Sequence, residues 1–296
     1  MPTIRQSIMA TITRRYPLLS GCGRLANSRL LQWLAGGSNE VAWARIAGGA
    51  QVLAPLDDFV GRAAFYVGDL DRKITAIGRR LIRPGDTVLD IGANIGVVAF
   101  AFASLVGVAG HVHAFEPNPE LVKLLHAAVE RNGTKNVTVH AMALGQEEGE
   151  LELSVPRGNA GGASLVRRGD PTGKRVVVPV KQLSSVIRDT GIGPLRLVKI
   201  DVEGFEPQVL AGARQSFRTN PPDAVLFELN DVSGPVSAHP TLQILQEMGY
   251  VFYGLPKAWV SLRLARFEPS ACTALRYHDL LAVHRDKEEE IVGLVS

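Results

Sequence analysis

A glycine turn led by a carboxylate is the first segment whose residue types could bind a ligand. Residues 90–96 read DIGANIG. Gly92 permits a tight turn, and Gly96 lets a following helix begin close to a ligand, with its free N–H groups facing it. The dinucleotide fingerprint GxGxxG would need a glycine where Asn94 stands, so a pyrophosphate fits poorly. Asp90 would repel a phosphate and suits an ammonium group instead, such as the amino group of a methionyl moiety.

A second carboxylate, Glu116, follows the next predicted strand. In the general nucleotide-binding fold, an acid at this place accepts hydrogen bonds from the hydroxyls of an adenosine ribose. Met142 and Ala143 stand where the third strand is predicted to end, and an apolar wall for adenine would belong there. These residues together predict a site for an adenosine-containing ligand.

Further acids follow the fourth and fifth predicted strands. Asp201 and Glu203 lie in the segment KIDVEGFE at 199–206, and Glu228 precedes Asn230. Acidic side chains at the end of a buried strand are energetically unfavourable unless they bind a partner. We therefore expect Asp201 at the edge of a pocket, with Glu228 and Asn230 converging on it.

Short apolar strands alternate with helical segments from Asp86 onward, which indicates a parallel sheet covered on both faces. Ligands of such sheets bind beyond the carboxyl ends of the strands, where the residues above are predicted to lie. The five glycines between 157 and 174 predict a mobile loop. The predicted strands are Thr87–Ile91, His111–Phe115, 137–142, Leu195–Ile200, 224–229, a strand after Gly249, and 280–283.

Three segments together resemble the FkbM family of S-adenosylmethionine-dependent methyltransferases: DIGANIG, FEPNP at 115–119 and KIDVEGFE. The resemblance runs over residues 52–250. It implies an α/β, Rossmann-like class I methyltransferase fold, with a mostly parallel seven-stranded sheet, helices on both faces and an N-terminal helical extension. Family members often carry a glutamate shortly after a glycine upstream of the first strand, whereas here Gly68 is followed by Asp69 and Asp71.

The same resemblance implies S-adenosyl-L-methionine as cofactor and O-methylation of a hydroxyl on a sugar, glycolipid or natural product. An alcohol is a weak nucleophile, so a general base is expected. We predict Glu203 or Glu228 ahead of Asp201, which is expected to face the cofactor, and His239 is a further candidate. The predicted cofactor-binding residues are Asp90, Gly92, Asn94, Gly96, Glu116, Met142, Ala143 and Asp201.

A magnesium site is an alternative use of the acids. Asp201, Glu228 and Asn230 offer the oxygen ligands that Mg²⁺ prefers. The same groups can bind sugar hydroxyls or cap helices, and we predict no metal. Two other functions stay open: an NAD-dependent oxidoreductase, which Asn94 and Asp90 argue against, and a non-catalytic binding protein that retains the fold, which the charged strand ends argue against.

The resemblance implies a small-molecule or glycan acceptor as partner, and composition argues against other partners. The net charge of +3 is too small to argue for nucleic acid. The chain has two cysteines and no CxxC pair, so a zinc site is not expected and a reducing, cytoplasmic compartment is. No apolar run is long enough for a transmembrane helix.

The predicted domains are an N-terminal helical extension at 1–50, a methyltransferase domain at 51–285 and an acidic, apolar tail at 286–296. Residues 1–38 contain five arginines and no acid, and Ile4, Ile8 and Ile12 recur at helical spacing. A targeting peptide or a helix making peripheral membrane contact is one interpretation. The other, which we favour because the apolar face is short, is a helix packed across the domain as a lid.

Overall fold

The helices of the chain alternate with strands from residue 87 onward. A computed structural model describes residues 2–17, 19–37, 39–165, 173–229, 234–257, 261–272 and 274–295. Its α-helices are α1 (Ile4–Thr13), α2 (Cys22–Ala26), α3 (Arg29–Ala35), α4 (Phe59–Val67), α5 (Arg72–Leu81), α6 (Val97–Val106), α7 (Pro119–Asn132), α8 (Leu183–Thr190), α9 (Glu206–Thr219), α10 (Pro240–Glu247) and α11 (Glu288–Val295).

The strands fall into one large sheet and two small ones. They are β1 (Val41–Arg45), β2 (Gln51–Pro55), β3 (Thr87–Ile91), β4 (His111–Phe115), β5 (Val137–His140), β6 (Ala143–Leu144), β7 (Gly149–Val155), β8 (Lys174–Lys181), β9 (Leu195–Ile200), β10 (Ala224–Glu228), β11 (Tyr250–Gly254), β12 (Ala265–Phe267) and β13 (Asp279–His284).

The large sheet has the strand order β12-β11-β13-β10-β9-β3-β4-β5. The strands from β5 to β10 in this order run parallel, and β13 pairs antiparallel with β10 and β11. This confirms the predicted α/β fold with a mostly parallel sheet. The sheet has one strand more than the predicted seven, because the short strand β12 pairs with β11 at the edge.

Helices cover both faces of this sheet because its central strands are apolar on both sides. Val88 and Leu197 belong to the core that includes side chains of α5, α6 and α7. Their neighbours in sequence, Leu89 and Val198, belong to the core that includes side chains of α8, α9 and α10. Successive side chains of a strand point to opposite faces, so β3 and β9 are buried on both. The functional edge of the sheet is therefore built on rigid strands.

The predicted third strand, 137–142, is shorter than expected. Strand β5 ends at His140, whose carbonyl accepts a hydrogen bond from the Met142 N–H at 2.9 Å. Ala143 and Leu144 then pair with β8 in a separate three-stranded sheet of order β6-β8-β7. The turn at Met142 thus marks the point where the chain leaves the large sheet.

Residues 156–165 lie between the three-stranded sheet β6-β8-β7 and helix α4 and contact both. Asp58 is buried, and its Oδ1 accepts hydrogen bonds from the first N–H groups of α4. Its Oδ2 accepts a hydrogen bond from the Ala160 N–H at 2.6 Å. Ser164 pairs with Ser154 of β7. The predicted mobile loop at 157–174 is thus anchored up to residue 165, and its part from 166 to 172 lies outside the described residues.

Residues before the sheet pack against it without a separate core. Helix α1 buries Gln6 and Ala10, and α1 and α2 pack on α4. Strands β1 and β2 form a hairpin whose buried side chains share a core with β3 and α6. The predicted domain boundary at residue 50 therefore lies inside a hairpin. At the other end, α11 packs on α5 with Ile291 and Val295 buried.

None of the helices in the described part of the chain is long and apolar enough to cross a bilayer.

Candidate active site

A cavity of about 1080 Å³ lies at the carboxyl ends of β3, β4, β9 and β10. This is the edge where parallel α/β sheets bind ligands. Most of the residues predicted from sequence line it, and they come from the ends of five strands, β3, β4, β5, β9 and β10. They are Gly92, Asn94, Glu116, Met142, Ala143, Asp201, Glu203 and Glu228.

The glycine turn after β3 packs directly on the end of β9. The Gly92 and Ala93 N–H groups donate to the Phe115 carbonyl at 3.0 and 2.9 Å. The φ angle of Gly92 is +80°, and a Cβ at this position would lie 1.9 Å from the carbonyl oxygen of Asp201. Only glycine meets both conditions. The turn is therefore held against both neighbouring strands before any ligand arrives.

Gly96, the last glycine of the turn, was predicted to bring the start of a helix close to the sheet and to a ligand. It begins α6 with a φ of +91°, and a Cβ there would come within 2.8 Å of the Leu125 and Phe100 side chains. Gly96 thus allows α6 to pack on its neighbours, and it is not among the residues that line the cavity.

Glu116 holds the glycine turn from the side of β4. Its Oε2 accepts a hydrogen bond from the Asn94 N–H at 2.8 Å, and its Oε1 accepts one from the Asn118 N–H at 2.9 Å. Burial raises the pKa of Glu116 to about 7, although both hydrogen bonds favour the ionised form. The carboxylate keeps further lone pairs for donors in the cavity.

Lys199 lies at the centre of the site, and the sequence analysis missed it. Its ammonium nitrogen is 3.2 Å from Asp90 Oδ1 and 3.4 Å from Asp201 Oδ2, and it donates a hydrogen bond to the Gly92 carbonyl at 2.9 Å. Burial opposes the charge on Lys199, but the two carboxylates outweigh it and raise the pKa of Lys199. The signal was present in the sequence, because residues two apart in a strand share a face.

Asp90 is therefore placed differently from the prediction. It is fully buried behind Lys199 and does not line the cavity. The cation against its carboxylate is the Lys199 ammonium, whereas the sequence analysis expected the ammonium of a ligand. Asp201, with a side chain 37% exposed, is the carboxylate of this group that borders the cavity.

The loop after β9 is organised by Glu206. Its Oε1 accepts hydrogen bonds from the Val202 and Gly204 N–H groups, each at 3.2 Å, and its side chain is buried. Glu203 adopts a left-handed φ of 52°, and its carbonyl accepts a hydrogen bond from the Ser164 hydroxyl at 3.1 Å. Glu206 thus shapes the loop, and Asp201 and Glu203 face the cavity.

A second ion-pair group lines another part of the cavity. The buried Lys73 ammonium is paired with Asp71, at 3.5 Å, and with Asp279. Burial raises the pKa of Asp71 to about 6. Asp71 also caps α5 by accepting a hydrogen bond from the Lys73 N–H at 2.9 Å. Family members often carry a glutamate shortly after the glycine at this place, and here Asp71 provides a carboxylate in the cavity wall.

Asp69, the other acid that follows Gly68, is buried away from the cavity and accepts a hydrogen bond from the Thr75 hydroxyl at 2.8 Å. His239 begins α10 and does not line the cavity. Asn230 and Asp231 lie outside the described residues. Among the described ones, no three His, Cys, Asp or Glu side chains lie close enough together to hold a metal ion.

Lys199→Met tests the central ion pairs. The substitution leaves Asp90 buried without its cation, so we expect the free energy of unfolding to fall by about 3–5 kcal/mol. Asp90→Asn in the same chain removes the unpaired charge and should restore part of that loss. Chemical denaturation of the single and double variants measures the coupling, and strictly additive effects would contradict the pairing.

Comparison with known proteins identifies the family. A model of the methyltransferase FkbM domain matches residues 90–252. The 31-O-demethyl-FK506 methyltransferase FkbM of Streptomyces tacrolimicus is 32% identical over 182 residues, which cover 52% of this chain and 68% of that protein. The ribosomal protein L11 methyltransferase of Chloroflexus aurantiacus is 43% identical over 67 residues, 22% of this chain and 20% of that protein.

Among solved structures, Aeropyrum pernix fibrillarin in complex with natively bound S-adenosyl-L-methionine superposes with a TM-score of 0.41 and 15% identity, over 83% of this chain and 100% of that one. The family match argues against both the NAD-dependent oxidoreductase and the non-catalytic binding protein. The chain belongs to the FkbM family of methyltransferases, and S-adenosylmethionine is its cofactor.

Proposed function

We propose that the chain methylates a hydroxyl oxygen of a sugar, a glycolipid or a natural product. The observation that carries this proposal is that Asp201, Glu203 and Glu228 line one cavity at the ends of β9 and β10. Carboxylates so placed can orient a hydroxyl and accept its proton. The Streptomyces relative is named a 31-O-demethyl-FK506 methyltransferase, a name that refers to methylation at an oxygen.

The residues on the sheet side of the cavity fit a sulfonium nucleoside. We assign the ribose hydroxyls to Glu116, the adenine to the wall formed by Met142 and Ala143, and the charged amino-acid end to Asp201 beside the Gly92 turn. The cofactor supplies a methyl group already activated on sulfur. Asp90 acts through Lys199, whose position it fixes, and is a positioning residue in this proposal.

The acceptor occupies the other side of the cavity. Ligand pockets commonly measure roughly 300–1,000 Å³, so a cavity at the top of that range has room for two reactants. The far wall combines apolar side chains, such as Phe59 and Leu70, with polar and charged ones that could bind the hydroxyls of an acceptor. Its residues lie outside the segment that matches the family model, which suits an acceptor that differs among relatives. They include Tyr16, Arg24, Lys73, Lys257, His278 and Asp279.

Glu203 and Glu228 are the proposed bases. Both line the cavity. Asp201 also lines it, but it is assigned above to the charged amino-acid end of the cofactor. Glu228 is the last residue of β10 and lies opposite Asp279 in the antiparallel register with β13. It therefore stands between the cofactor side and the acceptor side.

The function is tested with a cofactor whose methyl group is isotopically labelled. Sugars, glycolipids and polyketide alcohols are offered in turn, and the product is examined by NMR. We expect the label in a methyl ether, because the proposed bases are suited to removing a hydroxyl proton. Label found only on nitrogen, sulfur or carbon acceptors would overturn O-methylation without touching the family assignment.

Glu203→Gln and Glu228→Gln separate the two candidate bases. The variant that removes the base should lose about 10²–10⁴-fold in kcat while its affinity for the cofactor stays the same. Asp201→Asn should instead weaken cofactor binding, because it changes the carboxylate beside Lys199 and the Gly92 turn. Single-turnover rates with titrated cofactor distinguish these patterns. Full kcat in both glutamine variants would exclude both residues as the base.

Glu116 predicts a pH dependence of cofactor binding. Ribose hydroxyls donate to the ionised carboxylate, so affinity for S-adenosylhomocysteine should reach its full value about one pH unit above the pKa of Glu116. It should fall as the pH drops through the raised pKa of about 7, by up to about tenfold per pH unit. Calorimetry from about pH 5.5 to about pH 8.5, roughly 1.5 units either side of that pKa, measures the change in affinity.

Glu116→Gln should bind more weakly and show a flat profile over the same range. Glu120→Gln is the matched control, since Glu120 is an exposed acid at the start of α7 and outside the cavity. A steep profile that survives in Glu116→Gln would show that another group titrates.

A further inference from the structure

An apolar surface is exposed on α1 and α3. Ile4, Ile8 and Ile12 recur every fourth residue on α1 and are 81%, 51% and 57% exposed. On α3, Leu30 and Trp33 are 67% and 77% exposed. We call this set, with Leu34, the α1–α3 face. A groove lined by Arg5, Ile8, Met9, Trp33 and Leu34 joins the two helices, so the face is continuous.

Folding of the chain does not require this face. Helix α1 is attached to the domain by its opposite side, where Gln6 and Ala10 are buried. The Thr13 hydroxyl donates to the Tyr66 carbonyl at 2.6 Å, and Arg14 donates to the Phe65 carbonyl at 2.8 Å. None of the three isoleucines belongs to the core or to the side chains packed on it. A contiguous exposed apolar patch of this kind marks an interaction site.

The charge around the face indicates what covers it. Residues 1–38 hold five arginines and no acid, whereas the whole chain carries only +3, so the remaining residues are net negative. Arg5, Arg15, Arg24 and Arg29 are exposed on these helices or beside them. Arg5 lines the groove and Arg29 begins α3 next to Leu30, so these two arginines lie at the rim of the face. An apolar face with arginines at its rim and an exposed tryptophan is the pattern of a helix lying in the interface of an anionic bilayer.

We propose that the α1–α3 face docks the protein on a lipid surface that carries anionic headgroups. The isoleucines and Trp33 enter the acyl boundary, and the arginines contact headgroup phosphates. A second copy of the chain fits the same face less well. A symmetric dimer would bring the arginine rims of both copies together, and like charges across an interface are unfavourable.

Docking would bring the cavity close to the membrane. The segment that follows α1, and α2 itself, contribute Tyr16, Ser20, Arg24 and Leu25 to the cavity wall. An acceptor anchored in the bilayer could then reach the cavity without leaving its leaflet, which selects the glycolipid among the acceptors proposed above. This consequence rests on the proposed function, whereas docking itself does not.

The test is sedimentation of the full chain with vesicles, of phosphatidylcholine alone or mixed with phosphatidylglycerol. We expect binding to the mixed vesicles and a decrease in binding as salt is added. The double variant Ile8→Gln, Trp33→Gln should bind at least tenfold more weakly, because two large apolar side chains would no longer be buried in the acyl boundary. Val108→Gln is the matched control, since Val108 is fully exposed after α6.

Replacing Arg5 and Arg29 with glutamine should weaken binding to mixed vesicles by roughly fivefold per arginine and flatten the salt dependence. The thermal midpoint and the affinity for S-adenosylhomocysteine should be unchanged in all these variants, which separates this proposal from the proposed function. The proposal is overturned if the chain ignores mixed vesicles, or if the glutamine double variant binds them as tightly as the unchanged chain. A dimer in sedimentation velocity that the double variant dissociates would also overturn it.

Discussion

The site depends on one buried ammonium group. Lys199 stands between Asp90 and Asp201 and donates to the Gly92 carbonyl, so it links the core of β3, the glycine turn and the end of β9. Asp90 and Lys199 are register partners in adjacent parallel strands, which places their side chains together before the turn begins. Charges withdrawn from water in this way are stable only as a set, because each one left alone is strongly unfavourable. Glu116 secures the same turn from the other side, through the Asn94 N–H.

The two ends of the cavity have different origins. The proposed cofactor side is built from the carboxyl ends of strands inside the segment that matches the family model. Much of the opposite wall comes from residues before β3 and after β11, among them Lys73 and Asp279. A constant half for a common cofactor can therefore combine with a half that changes with the acceptor, because binding sites reside on loops and added segments carried by a rigid sheet.

The sequence predicts best those helices and strands whose ends are determined by neighbouring residues. Helix α7 begins and ends at local signals, because Asn118 caps its start and Gly133 ends it in the left-handed region. Strand β5 ended early because the chain turns at Met142 into a second sheet, and that pairing with β8 is not encoded nearby. The ion pair of Lys73 with Asp279 joins residues 206 positions apart, and no pattern within either segment predicts it. Lys199 could have been found, since it shares a strand face with Asp201.

Asp58 links one wall of the cavity to the start of helix α4. One oxygen of this buried carboxylate starts α4, and the other holds the Ala160 N–H in the segment that borders the cavity. If residues 158–163 withdrew, that oxygen would face a buried environment without its donor, and the start of α4 would have to accommodate it. Access to this side of the cavity is consequently coupled to the stability of a helix end, so the entrance and the scaffold do not rearrange independently.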